Sequence, residues 1–534
     1  MLGIEKPVTT VPQDVMESNG NISFVVSFST IFEHHIERVK EDVGMSHEYV
    51  IGLDLGTTSA KAVVFTLDGK VVAEAEDLVT SYYPKQGWVE QDPDEIERSA
   101  VKAINMAIKQ ANVNKEEIIS LGISAAMHSI ICMREDGEAL SQAIIWADGR
   151  STKQATELME TNGLEIYSRT GMPIHPMSPL AKLIWMKEVD YIPYTQSNYF
   201  LSIKEYLLLK WFGERVIDYS MASATGMFNG KTFQWDAAVL DKAGITEDML
   251  STIVPPTYQL TSINPTIAEE MGISSEMPFI IGAADGQFAN LGIGAISPGE
   301  VAVTVGTSGA IRQFTKGFQS NKDHETFCYA FSEEYFIVGG PTNNGGIALQ
   351  WLKETLNYQK DFNHFTAEAS KVEPGADGLF FHPYINGERA PLWNQNARGN
   401  FFGMSVTHKT EHFVRAVLEG ITFNLYQIGK ALEKQAGETN KLYVNGGLAR
   451  SSLWLQMLAD VFGKEVYVPE THHSAAWGAA WTALVGIGKV NSFEEIKHNI
   501  PMGEPVVPNM ETHEKYKTIF EKYVAIEKDI VKHF

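Results

Sequence analysis

Two stretches of the chain share one pattern, in which two apolar runs flank a short polar turn. The first stretch, residues 49–65, turns at Gly56-Thr57-Thr58, and the second, residues 300–311, turns at Gly306-Thr307-Ser308. Each pattern predicts two strands joined by a turn whose N–H groups and hydroxyls can bind phosphate oxygens. For the first stretch an ordinary hairpin is the alternative. Two copies in the two halves of the chain predict two related domains that face one nucleotide.

The first hairpin carries charged residues suited to a metal-bound phosphate. Lys61 can supply positive charge to a phosphate. The carboxylate of Asp54 suits Mg²⁺, held through water, because Mg²⁺ prefers oxygen ligands and bridges to phosphate. In the second hairpin Thr304 stands where Asp54 stands in the first. The sequence therefore predicts a metal ligand in the first hairpin only.

Apolar runs elsewhere predict the strands and helices of an α/β fold. Asp92 is predicted to be the N-cap of a helix, with Glu95 completing a capping box. The run over residues 119–125 predicts a buried strand that ends beside Met127 and His128. Ligands bind at such strand ends in α/β sheets. For His128 taken alone, a structural histidine is the alternative.

A second strand is predicted over residues 144–150, and it carries side chains of mixed chemistry. Trp146, Asp148 and Arg150 alternate, so their side chains point to one side while the chain is extended. Polar groups beside an aromatic ring suit a polyol or a sugar acid. A local ion pair between Asp148 and Arg150 is the alternative, but together with His128 the pattern favours a substrate pocket.

Asp285 is the candidate catalytic residue. It follows a buried-type strand, residues 279–284, that ends in small residues, so its carboxylate can approach a substrate closely. A hydroxyl is a poor nucleophile at neutral pH, and a carboxylate that accepts its proton during attack is the usual remedy in phosphoryl transfer. The alternative is that Asp285 caps the next helix.

Two further glycine-rich turns, residues 339–346 and 445–452, each precede a predicted helix. The N–H groups at a helix start can bind a nucleotide phosphate, and paired glycines let a flat base approach the backbone. Ser451 is the predicted N-cap of the second of these helices. Neither turn has the spacing of a P-loop, and a structural loop is the alternative for both.

Composition adds mainly exclusions. The chain has 534 residues and a formal net charge of −23, which predict two or three domains and argue against a nucleic-acid partner. No apolar run approaches the ~20 residues of a membrane span. Cys132 and Cys328 lie in apolar surroundings far apart in sequence, which is typical of reduced thiols in a cytoplasmic protein. Residues 1–48 are expected to be an extension, disordered or outside the fold, with Met45 as a candidate start.

Beyond this extension the chain resembles the FGGY carbohydrate kinases, members of the actin-like ATPase superfamily. Residues 177–185 are similar to the first signature of that family, and residues 399–404 followed by 412–419 are similar to the second. The resemblance implies an α/β fold of two ribonuclease-H-like domains with a catalytic cleft between them. Residues 49–296 would bind sugar and phosphate, and residues 297–534 would bind ATP.

The resemblance also implies roles for single residues and the cofactors ATP and Mg²⁺. Asp285 would be the general base, Asp54 would lie near Mg²⁺, and three residues of the first hairpin would lie near the transferred phosphoryl group, namely Thr57, Thr58 and Lys61. The residues implied to bind the sugar are Met127, His128, Trp146, Asp148, Arg150, Asp285 and Gln287. The residues implied to hold ATP are Thr307, Gly345, Gln350, Gly447 and Ser451.

Within the family, residues 124–129, 170–177 and 387–393 most resemble the gluconate kinases. This likeness implies a phosphotransferase that converts D-gluconate to 6-phospho-D-gluconate with ATP, without a nucleic-acid or membrane partner. A homodimer is left open. The nearer alternative is another kinase of the family, for xylulose, glycerol or a related polyol. The more distant alternative is a nucleotide-dependent binding protein of the same superfamily.

An acidic substrate needs a positive partner. The candidates for this partner are Arg150, Lys204, His128 and His175. Arg389 is interpreted as a residue that can fix the loop that bears it. Ala126 stands where the family commonly has Gln before the Met-His pair, which weakens the case for a xylulose-type pocket.

Overall fold

The computed structural model describes residues 48–470 and 473–534. Except for Glu48, the predicted extension and its candidate start Met45 lie outside the described residues. The two predicted hairpins are present as antiparallel strand pairs. Both cysteines are buried free thiols. In the part of the chain that the structure describes, no helix is both long and apolar enough to cross a membrane.

The N-terminal half alternates strands with helices. Its strands are β1 (Tyr49–Leu55), β2 (Ser59–Thr66), β3 (Val71–Leu78), β4 (Glu90–Gln91), β5 (Ile118–Ala125), β6 (Ile131–Met133), β7 (Ala143–Ile144), β8 (Tyr199–Leu201), β9 (Val216–Asp218), β10 (Phe228–Asn229), β11 (Gln234–Trp235), β12 (Thr252–Val254), β13 (Gln259–Leu260) and β14 (Phe279–Ala284). Its helices are α1 (Pro93–Ala111), α2 (Thr152–Thr170), α3 (Pro179–Glu188), α4 (Ile192–Thr195), α5 (Ile203–Phe212), α6 (Tyr219–Ala224), α7 (Ala237–Ala243), α8 (Pro265–Met271) and α9 (Asp285–Leu291).

The C-terminal half has longer helices. Its strands are β15 (Glu300–Val305), β16 (Gly309–Lys316), β17 (Phe327–Ala330), β18 (Tyr335–Thr342), β19 (Phe380–His382), β20 (Asn400–Phe402), β21 (Lys441–Gly446) and β22 (Val466–Tyr467). Its helices are α10 (Gly346–Thr355), α11 (Phe362–Ala367), α12 (Thr410–Ala436), α13 (Ser452–Phe462), α14 (Ser474–Gly486) and α15 (Met510–Ile530).

Each half contains a six-stranded sheet with the same core topology. The first sheet has the order β13-β14-β5-β1-β2-β3, and the second has the order β17-β18-β16-β15-β21-β22. In both sheets three successive antiparallel strands, β1-β2-β3 and β15-β16-β18, are extended by parallel strands beside the first member, and the second sheet adds β17 antiparallel to β18. This shared order confirms the predicted duplication and the ribonuclease-H-like fold.

Helix α14 packs on the first sheet although it comes late in the chain. An added Cβ at Gly52 would lie 1.9 Å from the carbonyl oxygen of Ala476, and one at Gly122 would lie 2.0 Å from that of Ala479. Only glycine allows the helix backbone to approach this closely. The predicted boundary at residues 296 and 297 stays a prediction, and residues 474–486 belong spatially with the first sheet.

The predicted cap of helix α1 is half correct. The carboxylate of Asp92 accepts hydrogen bonds from the N–H groups of Asp94 and Glu95, as an N-cap should. The expected capping box is wrong, because Glu95 accepts from the N–H of Thr80 and from the hydroxyl of Tyr82 instead. The side chain therefore ties the helix start to the segment after β3.

Candidate active site

A cavity of about 330 Å³ lies where the two halves of the chain meet, and we call it the central cavity. Its walls contain five of the residues predicted from the sequence. These residues are Thr57, Met127, His128, Trp146 and Asp285. The opposite walls come from the second hairpin and a later loop, and include Thr304, Gly306, Ser308, Ala310, Arg312 and Arg389. The predicted phosphate, sugar and base residues therefore converge.

Asp285 lies at the junction of β14 and α9, on the wall of the central cavity. It is the first residue of α9, while Ala284 is the N-cap, so the predicted alternative that Asp285 caps the helix is wrong. Its carboxylate accepts a hydrogen bond from the N–H of Gly286 at 2.6 Å. Loss of hydration and the nearby charge of Asp54 raise the pKa of Asp285 to about 6. This carboxylate can accept a proton near neutral pH.

Asp54 lies near the end of β1 and is half-buried. The hydroxyl of Ser124, on the neighbouring strand, donates to its carboxylate at 2.7 Å. Burial raises the pKa of Asp54, while the hydrogen bond and the charge of Lys61 lower it. Lys61 stands opposite Asp54 in the strand register and lies 3.5 Å from the carboxylate of Glu76. The charge of the Asp54 carboxylate is one of the causes that raise the pKa of Asp285.

Met127 and His128 follow β5 directly and line the central cavity. His128 has a φ of 70°, and its Nδ1 lies 2.8 Å from the carbonyl oxygen of Ala224. Burial lowers the pKa of His128 to about 3, so the ring is neutral at physiological pH. The buried Lys182 donates to the carbonyl oxygen of His128 at 2.7 Å. This lysine, in the first family signature, therefore positions the Met-His turn.

The segment from Trp146 to Arg150 is a turn, so the prediction of an extended strand is wrong. Strand β7 ends at Ile144, and the carboxylate of Asp148 accepts from the N–H groups of Arg150 and Val89. The local bond from Arg150 and the distant bond from Val89 together close the turn. Trp146 still lines the central cavity.

Arg150 does not reach either the central cavity or its neighbours. Its side chain is fully buried, pairs with Asp148 and Glu90 at 2.8 and 2.7 Å, and lies over the ring of Trp88. The ion pair considered as an alternative is therefore present. The predicted direct contact between Arg150 and a substrate is not supported by this geometry. Its partner Asp148 lines the cavity that also contains Trp146 and His175.

Gln287 is not among the residues that line the central cavity, and its predicted contact with the sugar stays a prediction. It is buried on α9, and its amide donates to the carbonyl oxygen of Ala330 at 3.1 Å, so it links the two halves of the chain.

Thr58 is exposed at the hairpin tip, and its carbonyl oxygen accepts from the N–H of Val79. Lys204 is buried and pairs with Asp218 at 2.8 Å.

Two arginines on the central cavity wall were either missed or assigned another role. Arg312 was not identified, although it lies two residues beyond Ala310 on β16 and therefore on the same face of the strand. This alternation is the signal that could have found it. Arg389 donates to the carbonyl oxygen of Thr342 at 3.3 Å and lies 5.5 Å from the ring centre of Trp146. Its predicted loop-fixing bond is present, and its side chain also faces the cavity.

A second cavity of about 360 Å³, the outer cavity, lies on the far side of the second hairpin turn. Four of the residues implied to hold ATP line it, namely Thr307, Gln350, Gly447 and Ser451. Ser451 is the N-cap of α13, as predicted, and accepts from the N–H of Trp454. Gly306 lines both the outer and the central cavity. The turn therefore joins the two spaces.

Gly345, the fifth residue implied to hold ATP, supports the outer cavity from behind. An added Cβ at this position would lie 2.5 Å from the carbonyl oxygen of Ser308. The next N–H, of Gly346, donates to the carbonyl oxygen of Gly306 at 2.7 Å. Helix α10 thus begins in contact with the hairpin turn, and its start is held by backbone bonds.

A third space of about 380 Å³ completes the path between the other two. It shares Trp146, Ser308 and Arg389 with the central cavity, and Thr307 and Ile347 with the outer cavity. A long ligand can therefore pass from the outer cavity, around the second hairpin turn, to Asp285. That arrangement suits a nucleotide that delivers its terminal phosphate to a small acceptor.

Comparisons with known proteins agree with this geometry. The sequence profile of the N-terminal domain of the FGGY family of carbohydrate kinases matches residues 49–292, and that of the C-terminal domain matches residues 301–487. The gluconokinase of Bacillus subtilis (strain 168) is 41% identical over 490 residues, which cover 90% of this chain and 95% of that protein.

Two solved structures from Lactobacillus acidophilus resemble this chain equally. One is described as a gluconate kinase and the other as a ligand-bound xylulose kinase. Each has a TM-score of 0.88 and 32% identity, and each match covers 91% of this chain and 98% of the other. With the family profiles matching most of its length, this chain belongs to the FGGY family of carbohydrate kinases.

Proposed function

We propose that this protein transfers the γ-phosphoryl group of ATP to the terminal hydroxyl of D-gluconate and forms 6-phospho-D-gluconate. The observation that carries the proposal is the convergence of Asp285 with both hairpin turns on one cavity. The 41% identity with a gluconokinase supports the choice of acceptor.

In the proposed reaction, Asp285 accepts the proton of the acceptor hydroxyl as its oxygen attacks the γ-phosphorus. The bond from the γ-phosphorus to the bridging oxygen breaks, and ADP leaves. A pKa of about 6 keeps the Asp285 carboxylate ionised above that pH and basic enough to take the proton. The neutral ring of His128, fixed by the carbonyl oxygen of Ala224, is suited to orient a sugar hydroxyl.

ATP is proposed to occupy the outer cavity with its adenosine and to pass its phosphates around the second hairpin turn. The exposed residue Thr307 offers an N–H and a hydroxyl group to phosphate oxygens, while the N–H of Gly306 donates to the carbonyl oxygen of Ser308 and holds the turn. The first hairpin, at Thr57, approaches from the opposite wall of the central cavity. The γ-phosphate would therefore lie between the two turns.

The carboxylates present fit Mg²⁺. Asp54 lies close enough to Asp285 to raise its pKa, and a cation would relieve this repulsion. Among the described residues no group of three or more His, Cys, Asp or Glu side chains could hold a metal. A site with few protein ligands suits Mg²⁺, which keeps several waters and binds substrate phosphates. When bound, Mg²⁺ would neutralise charge on the phosphate oxygens.

Phosphorylation of xylulose is the second candidate, because a structure described as a ligand-bound xylulose kinase matches as well as the gluconate kinase structure. Ala126, on the central cavity wall, has no side-chain amide to offer a neutral sugar. Localisation in the cytoplasm and a homodimer stay predictions.

The test is ATP consumption by the purified protein with gluconate, xylulose, glycerol and ribulose, each with and without Mg²⁺. Turnover with gluconate that depends on Mg²⁺ is the expected result. Turnover only with a neutral sugar would keep the phosphotransfer and overturn the acceptor. Turnover with none of them would contradict the proposed function.

A further inference from the structure

Arg312 presents positive charge to the central cavity. It extends from β16, and its guanidinium lies over the backbone of Gly286, where an added Cβ would be 3.1 Å from both Nε and Nη2. At Gly339, on the paired strand, an added Cβ would be 2.9 Å from Cγ of Arg312. Two glycines thus leave room for the arginine beside the candidate base.

The charge of Arg312 is not fully compensated within the protein. Its Nε is buried without a hydrogen-bond partner among the described residues. Asp285 is near enough to interact electrostatically, but no hydrogen bond joins the two side chains in the described chain. A half-buried arginine that lines a cavity and has a buried donor without a partner is suited to bind an anion from that cavity.

The other positive groups predicted for an acidic substrate are already engaged. Arg150 is paired with Asp148 and Glu90, and Lys204 is paired with Asp218. Burial lowers the pKa values of His128 and His175 well below their usual range, so both rings are neutral.

Lys182 and Arg389 are also partly engaged with the backbone. Lys182 donates to the carbonyl oxygens of His128, Ile145 and Met177. Arg389 donates to Thr342. Arg312 is the cavity arginine whose side chain has no hydrogen bond to the described protein.

Arg312 lies further along β16 than the hairpin turn does. The strand runs from the hairpin turn at Ser308, through Ala310, to Arg312, and successive side chains on one face are about 7 Å apart. An acceptor whose reactive end lies at the turns, near the γ-phosphate, would place its other end further along the strand. That other end of gluconate is the carboxylate.

We infer that Arg312 binds the carboxylate of the acceptor and thereby selects a sugar acid over a neutral sugar. This inference rests on the proposed function and adds the residue that decides its substrate class. The guanidinium would donate two hydrogen bonds to the carboxylate while Asp285 contacts the terminal hydroxyl at the opposite end.

The test compares gluconate with D-gluconamide, which keeps the hydroxyls and replaces the carboxylate by a neutral amide. The wild-type protein should have a KM for gluconamide about 100-fold above that for gluconate. In Arg312→Gln the KM for gluconate should rise about 100-fold, while kcat/KM for gluconamide stays within about threefold, so the preference disappears. Arg312→Lys should restore part of it. Arg134→Gln, which alters an exposed arginine paired with Glu138, is the matched control and should leave both substrates unchanged.

The outcomes separate this inference from the proposed function. No turnover of gluconate by the wild-type protein would contradict the function itself. Wild-type turnover of gluconate without a preference over gluconamide would overturn the inference alone, even if Arg312→Gln did not fold. Equal losses with both substrates in a variant that still binds ADP would also overturn it, because Arg312 would then act only by positioning Asp285.

Discussion

The two hairpins share a backbone plan and differ in chemistry. β1–β2 places Asp54 opposite Lys61, whereas β15–β16 places Thr304 opposite Ala310. Ser124 donates to the Asp54 carboxylate, but the buried hydroxyl of Thr304 has no hydrogen-bond partner among the described residues. The first hairpin therefore carries a negative charge at this position, and the second does not.

The second hairpin brings positive charge to the cavity wall beside Asp285, through Arg312. Asp285 responds to both hairpins, because Asp54 raises its pKa and Arg312 lowers it. The difference indicates that a duplicated phosphate-binding hairpin can divide its work. In the proposed reaction one copy would serve the reacting phosphate, and the other would hold the nucleotide and the carboxylate of the acceptor.

The largest expected effect comes from removing the carboxylate between the two hairpins. Asp285→Asn should lower kcat/KM for gluconate about 1,000-fold, because the amide cannot accept the hydroxyl proton. Steady-state kinetics would measure this loss. Asp68→Asn, at an exposed position in the turn after β2, is the matched control.

The Asp285→Asn variant should remain folded. Because folding raises the pKa of Asp285, the ionised carboxylate of the wild type lowers the free energy of unfolding above about pH 6. The thermal midpoint of Asp285→Asn at pH 8 should therefore equal or exceed that of the wild type. Near-normal turnover in a folded variant would contradict the assignment of Asp285 as the general base.

The next effect concerns the packing of β1 and β15, the first strand of each hairpin. Gly52 and Ala302 hold equivalent positions in β1 and β15, two residues before Asp54 and Thr304. Gly52→Ala should destabilise the protein by about 3 kcal/mol, because the new Cβ would meet the backbone of α14. Ala302→Gly should cost only about 1 kcal/mol. Urea unfolding would measure the free energy of unfolding of both variants. Equal losses of stability would contradict the prediction that α14 packs closely on β1.

The third prediction compares the two equivalent polar positions, by removing the charge of Asp54 in one variant and the hydroxyl of Thr304 in another. Asp54→Asn should lower kcat about 100-fold, because the site then loses a negative group for Mg²⁺ near the phosphate. Thr304→Val replaces a hydroxyl by a methyl group of similar size and should change kcat less than about threefold. Titration of activity with Mg²⁺ would show whether only the first change weakens metal dependence. A larger loss in Thr304→Val would reverse the assignment of roles.

The smallest effect is a pH dependence. Because Asp285 must be ionised to accept a proton, kcat/KM should fall about tenfold per pH unit as pH decreases below about 6. The Asp54 charge contributes to this raised pKa, so the acid limb should move to lower pH in Asp54→Asn. The pH profiles of both proteins would measure the shift. An unchanged limb in the variant would mean that the two carboxylates are not coupled.

Local patterns predicted the hairpins and the caps at Asp92 and Ser451 because each depends on neighbouring residues. A Gly-Thr turn between apolar runs, or a capping side chain before a helix, needs no distant partner. The residues on the central cavity wall were predicted well where they directly follow strands, as Asp285 and Met127 do.

The failures occurred where distant contacts decide the outcome. Asp148 closes a turn by binding Val89, 59 residues earlier, so the run that looked like a strand bends instead. Arg312 faces the cavity because Gly286 and Gly339 make room for it, and the strand order that joins them is not visible in a local pattern. The carboxylate of Glu95 accepts a hydrogen bond from the N–H of Thr80, on a neighbouring segment, and not from the N-cap of its own helix.

The most direct measurement is a crystal structure of the protein with gluconate and a non-hydrolysable ATP analogue. The division of roles predicts the terminal hydroxyl within hydrogen-bond distance of Asp285 and the carboxylate within hydrogen-bond distance of Arg312. A gluconate bound in the opposite direction, with its carboxylate at the hairpin turns, would contradict it.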